Sequence, residues 1–109
     1  EQLNSSTKFT AEMNKEIIDF YAFVLNFIEW NSLFISDNIK PMSNLDLDKS
    51  IKYENEIDAI RNKLLDSSQK RLSNSSNPRS ELIFMDIIKH LEHVGDYSLN
   101  ISQALEQLD

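Results

Sequence analysis

Cysteine is absent from the 109 residues, glycine occurs once and proline twice. Without a thiol there is no disulfide, no thiolate nucleophile and no zinc–thiolate centre. With only Pro41, Pro78 and Gly95 to interrupt it, the backbone has few points at which a helix must break. No apolar run approaches the ~20 residues that a membrane-spanning helix requires, and no signal peptide is visible. Glycine-rich phosphate loops, His-Glu-x-x-His zinc motifs and Ser/His/Asp nucleophile patterns are missing, so the chain is read as a non-enzyme. Positive charge is scarce too: 11 Lys and Arg against 18 Asp and Glu leave a net charge of −7. That balance repels nucleic acid and disfavours an anionic lipid surface. A cysteine-free acidic chain suits a cytoplasm. The first residue is Glu1 rather than Met, which points to an excised piece of a longer protein.

What remains is helical pattern. Three periodic runs cover about residues 10–36, 44–72 and 78–108. Thr10 is placed to cap the first, with Glu12 facing the positive end of its dipole. Ser43 with Asp46 resembles a capping box at the start of the second. Ser73 to Asn77 forms a polar loop, and Asn77-Pro78 reads as a cap followed by a first-turn proline. Two short loops between long helices imply neighbours that run in opposite directions. The expected fold is therefore all-α, one domain over 1–109, an antiparallel up-down-up three-helix bundle.

The wheels of the second and third helices are amphipathic. Leu47, Ile51, Tyr53, Ile57, Ile60, Leu64, Leu65 and Leu72 fill one half of the second. Ile83, Phe84, Ile87, Ile88, Leu91, Val94, Leu99, Ile101 and Leu105 mark the core side of the third. The first helix is apolar around most of its circumference. Ile17, Tyr21, Val24 and Ile28 form one stripe; Phe20, Phe23, Phe27, Trp30 and Phe34 form another. A wide apolar arc suits a helix with two neighbours. An aromatic seam left in water would be a sizeable exposed patch, so the second stripe is also a candidate interface, for a homodimer or for the rest of a parent protein.

Charged residues break the apolar arcs at a few positions. Glu54, Asp58 and Arg61 fall inside the apolar half of the second helix. Glu92 falls inside that of the third, with Asp96 at its margin. Each helix thus carries two acids four residues apart, which destabilises a helix by a few tenths of a kcal/mol in water and by more against an apolar face. Two compensations are open. Arg61, Lys89 or Arg71 could pair with the acids. Alternatively, four carboxylates across two helices suit a hard cation. Gly95, between Glu92 and Asp96, costs ~1 kcal/mol relative to alanine in mid-helix. It permits close approach of a neighbour, whether tight helix packing or a ligand. His93 falls on the wet side, and His90 at the apolar margin reads as a structural, hydrogen-bonded histidine. The Glu-x-x-His pairs of ferritin-like di-iron sites are absent.

The stretch Glu92-His93-Val94-Gly95-Asp96-Tyr97-Ser98-Leu99-Asn100-Ile101 resembles the signature of the PhoU family, Glu-Arg-Ile-Gly-Asp-His with a similar Asn-Ile ending. Tyr53-Glu54-Asn55-Glu56-Ile57-Asp58-Ala59-Ile60-Arg61 resembles that family's other acidic helix. Arg71-Leu72 and the approach from Asp86-Ile87 also fit, and the likeness covers roughly residues 46–108. The resemblance implies a helical bundle, PhoU-like in fold and spectrin-repeat-like in outline. PhoU proteins contain two three-helix repeats and this chain holds one. It is therefore similar to the single PhoU-like module at the cytoplasmic C-terminus of bacterial sodium-phosphate cotransporters.

By resemblance, Glu54, Asp58, Glu92 and Asp96 are the candidate metal ligands, and the metal is a divalent one: iron, zinc or magnesium. Two positions depart from the family pattern. His93 stands where the family has Arg, and Tyr97 where it has His, which removes a ligand-type side chain. The function implied is regulation of phosphate uptake or homeostasis by protein contact. The expected partner is the membrane domain of a transporter in the same chain or other phosphate transport and signalling proteins. The expected place is the cytoplasmic side of the inner membrane. The alternatives are a free-standing PhoU-like regulator and a generic helical dimerisation module without metal.

Overall fold

A computed structural model describes residues 9–36, 38–75 and 77–108. Among them are three α-helices and no strand: α1 (Ala11–Ser32), α2 (Asn44–Asn74) and α3 (Pro78–Glu106). None of these helices is long and apolar enough to cross a membrane. Together they form a rod of 54 × 26 × 17 Å.

Helix starts follow the capping residues. The Thr10 side chain accepts from the backbone N–H of Met13. Ser43 and Asp46 complete a reciprocal capping box, with both hydrogen bonds at 3.1 Å. Ser43→Ala should lower stability by about 1 kcal/mol, read from the urea unfolding midpoint. Asn77 holds the cap position of α3 but makes no side-chain cap hydrogen bond; its backbone N–H donates to Ser75 Oγ at 2.8 Å.

Helix ends are less legible. The first run was expected to reach Ser36, but α1 stops at Ser32 and tightens into a turn. Leu33, Phe34 and Ile35 donate to carbonyls three residues back rather than four. Such a turn keeps nearly the same facing of side chains, which is why the apolar period continues past the helix. In the connection to α2, Met42 is fully buried and its N–H donates to the Leu105 carbonyl at 3.1 Å.

The core comprises Met13, Phe20, Val24 and Phe27 of α1, Ile57 and Leu64 of α2, and Phe84 and Ile88 of α3. Phe27 stacks on Tyr53 at 4.8 Å between ring centroids. Of the five aromatics in the α1 seam, Phe20 and Phe27 are enclosed by this chain, while Phe23, Trp30 and Phe34 are half-buried. Four residues expected on core faces are instead exposed: Tyr21, Ile51, Val94 and Ile101. Each helix meets only two neighbours, so residues at the edge of its apolar arc find nothing to cover them.

A buried polar relay crosses the three helices near one end. Asn31 Nδ2 donates to the Ser98 carbonyl at 2.6 Å. Ser102 Oγ donates to Asn31 Oδ1, and Ser50 Oγ donates to Ser102 Oγ, both at 2.7 Å. At the other end Arg71 joins the helices: its Nε lies 2.9 Å from Glu81 of α3, its Nη1 3.7 Å from Glu16 of α1, and its guanidinium rests over the Phe84 ring.

Candidate metal centre

Along α2, Glu54, Asp58 and Arg61 recur at steps of four and three, so they share the side that faces α3. Along α3, Glu92 and Asp96 share the side that faces α2. The lone glycine sets how near these sides come. A Cβ built on Gly95 would stand 2.9 Å from Ile57 Cδ1 and 3.2 Å from Glu54 Oε1. Ile57 and Glu54 therefore occupy the space that any other residue at 95 would fill.

The approach gathers the acids. Glu54, Asp58 and Glu92 each offer a carboxylate oxygen within 4.8 Å of the others, and Glu92, His93 and Asp96 form a second such group around the shared Glu92. Glu54 and Glu92 are each only 7% exposed. Asp58 and Asp96 are partly buried. The four expected acids thus lie in two groups that share Glu92 rather than in one. His93, expected in solvent, is exposed yet brings Nδ1 to 3.8 Å from Glu92 Oε1. His90, expected to be a hydrogen-bonded structural residue, is exposed.

Of the cations considered as internal partners, Arg61 takes the part: its Nη1 lies 3.3 Å from Glu92 Oε2 and 3.7 Å from Asp58 Oδ1. Lys89 is exposed, and Arg71 serves the separate Glu16–Glu81 cluster. One guanidinium does not neutralise four carboxyls, and two oxygens show it. Glu54 Oε1 and Asp58 Oδ1 are buried with no hydrogen-bond partner. Each such orphan costs about 1–3 kcal/mol.

Protonation is one relief. Burial is the largest influence on the Glu54 carboxyl, followed by a hydrogen bond with Asp96 and repulsion from Asp58, Asp96 and Glu92; together they push it up to about 9. At neutral pH it therefore carries a proton, which it shares with Asp96. Glu92 also moves up, through burial and the charge of Asp96, against the pull of Arg61.

A cation is the other relief, and the donor set fits one. Metal–oxygen bonds of about 2.0–2.6 Å span ~4–5 Å across a coordination sphere, so oxygens that lie within 4.8 Å of one another can reach a single ion. Oxygen donors suit magnesium, and with His93 at hand iron or zinc.

The Arg71–Glu81–Glu16 cluster was not anticipated. Glu81 is buried, accepts from Ser68 Oγ at 2.7 Å and pairs with Arg71. Its position on the apolar arc of α3 was the available signal.

Compared with known proteins, the chain matches the family model described as PhoU domain over residues 39–105, a span that holds both acid pairs and Gly95. No curated protein and no solved structure matches it.

Proposed function

Since the chain belongs to the PhoU domain family, we propose that it is the cytoplasmic regulatory module of a sodium-dependent phosphate transporter. In this reading it governs phosphate uptake or homeostasis by protein contact and catalyses no reaction. The family match over residues 39–105 carries the phosphate-related part. The coding sequence upstream of Glu1 tests the attachment. Membrane-spanning helices there support it; their absence leaves a free-standing regulator on the same signalling route.

The connectivity fits the up-down-up form. Glu16, early in α1, lies beside Arg71, late in α2, while Trp30 meets Tyr53 and Lys49. Ser50 meets Ser102, and Ser68 meets Glu81.

The acid cluster holds a divalent cation in this proposal. Glu54, Asp58, Glu92 and Asp96 are the ligands, with His93 in reach. The ion supplies the positive charge that the orphaned oxygens lack and clamps α2 to α3. The rival reading is a metal-free interaction module in which Arg61 alone balances the acids, favoured by its contacts with Glu92 and Asp58. Elemental analysis of purified protein separates the two. Stoichiometric iron, zinc or magnesium in the native chain and none in a Glu92→Ala/Asp96→Ala variant supports the site. Equal, trace metal in both leaves the salt-bridged module.

A further inference from the structure

The two donor groups that meet at Glu92 differ in chemistry and in what already faces them. Glu54, Asp58 and Glu92 offer oxygen alone, whereas Glu92, His93 and Asp96 include an imidazole nitrogen. The first group has a resident cation. Arg61 Nη1 lies 3.7 Å from Asp58 Oδ1 and 3.3 Å from Glu92 Oε2. The guanidinium thus takes Glu92 by Oε2, while His93 Nδ1 stands 3.8 Å from the other oxygen, Oε1. Among the described residues no lysine or arginine pairs with Oε1 or with Asp96. The need for charge is felt by a buried group as well. Glu54 is 7% exposed, and its Oε1 is buried without a hydrogen-bond partner. A hydrogen bond between the Glu54 and Asp96 carboxyls links the two groups across the helices.

Distance permits the imidazole to ligate. Two donors each about 2.1 Å from an ion stand at most ~4.2 Å apart. His93 Nδ1 and Glu92 Oε1, at 3.8 Å, are inside that limit, and Asp96 offers an oxygen to the same group. His93 is exposed, so its ring can turn about the side-chain bonds toward an ion without disturbing the core. The nitrogen matters because it changes the class of metal. Magnesium holds to oxygen, demands near-octahedral geometry and gives up its waters reluctantly. Zinc and ferrous iron accept mixed nitrogen and oxygen sets.

We propose that His93 Nδ1 is a ligand of the ion, and that it makes the cluster select zinc or ferrous iron over magnesium. The ion is centred on the Oε1 side of Glu92, with His93 and Asp96, while Arg61 keeps the Oε2 side. The proposal rests on the metal reading above and adds to it a nitrogen donor and a metal class. Its rival is an imidazolium that pairs with Glu92 and binds no metal.

Equilibrium dialysis of tag-free protein against zinc and against magnesium tests it. His93→Gln removes the nitrogen donor, and His93→Arg removes it while keeping a cation beside Glu92. Each should weaken zinc binding roughly tenfold or more. His93→Gln should leave magnesium binding within about twofold of the native value, since magnesium does not use the nitrogen. Imidazole NMR supplies a second readout, because the chain has two histidines. Zinc should shift the ring signals of His93 and leave those of His90 in place; magnesium should move His93 far less. His93 is exposed, so these variants keep the core, and unchanged circular dichroism checks it. Zinc held equally by the native chain and His93→Gln, but lost from Glu92→Ala/Asp96→Ala, overturns the proposal and leaves the metal reading standing. Zinc bound by none of these proteins overturns both.

Discussion

Gly95→Leu should destabilise the protein by about 3 kcal/mol, because it inserts side-chain volume where two helices are already in contact. Carbon atoms pack at about 3.5–4.0 Å. A first side-chain atom at position 95 would stand 2.9 Å from Ile57 Cδ1 and 3.2 Å from Glu54 Oε1. Ile57 is fully buried and has nowhere to retreat. Gly95→Ala adds only that first atom, and the ~1 kcal/mol of helix propensity it recovers offsets part of the clash, so its loss should be smaller than that of leucine. Leucine carries three further carbons and must part α2 from α3. Urea unfolding of the native protein and both variants checks this. A leucine variant as stable as the native chain would show that the helices are not held at glycine distance.

Stability should fall, not rise, as pH goes from 5 to 9 in metal-free buffer. The Glu54 carboxyl sits near 4.5 in the unfolded chain and about 9 in the folded one. The folded state therefore binds a proton that the unfolded state has released. The stabilisation is complete below about pH 4.5 and is lost as pH climbs through the folded value. Glu92 and Glu16, whose carboxyls burial also pushes up, contribute in the same sense. The loss should reach at least about 2 kcal/mol by pH 9. Glu54→Gln keeps the shape of the protonated acid without the ionisation. It should match the native protein at pH 5 and exceed it by a similar amount at pH 9. Flat or rising native stability over that window would mean that Glu54 is ionised and matched. A divalent ion in the cluster reverses the slope, since ligation requires carboxylates.

The acid pairs were visible in the sequence because Glu54 and Glu92 fall on apolar arcs, where a charge contradicts its neighbours, and Gly95 contradicts helix propensity. Those contradictions are local, so one sequence suffices to find them. The cap residues Thr10 and Ser43 were legible for the same reason. The choice of Arg61 over Lys89 and Arg71 was not, since it depends on which turn of α2 stands level with Glu92. Ile51, Val94 and Ile101 were assigned to the core because a wheel gives direction but not the reach of the neighbours. The buried serines were missed because Ser50, Ser98 and Ser102 look on a wheel like solvent positions that drifted inward. Hydrogen bonds explain Ser50 and Ser102, the first donating to the second and the second also reaching the Ser98 carbonyl.

Those hydrogen bonds limit how the bundle can move. Aliphatic surfaces sliding past each other by a helical turn exchange one methyl contact for another. The Asn31–Ser98–Ser102–Ser50 relay allows no such exchange, because each broken step strands a donor or acceptor away from water, at roughly 1–3 kcal/mol apiece. The relay is a pin through all three helices, one turn from Glu54. With Arg71 tying α2 to Glu81 and Glu16 at the other end, the rod is fastened by polar contacts at both ends and resists a piston stroke along its axis.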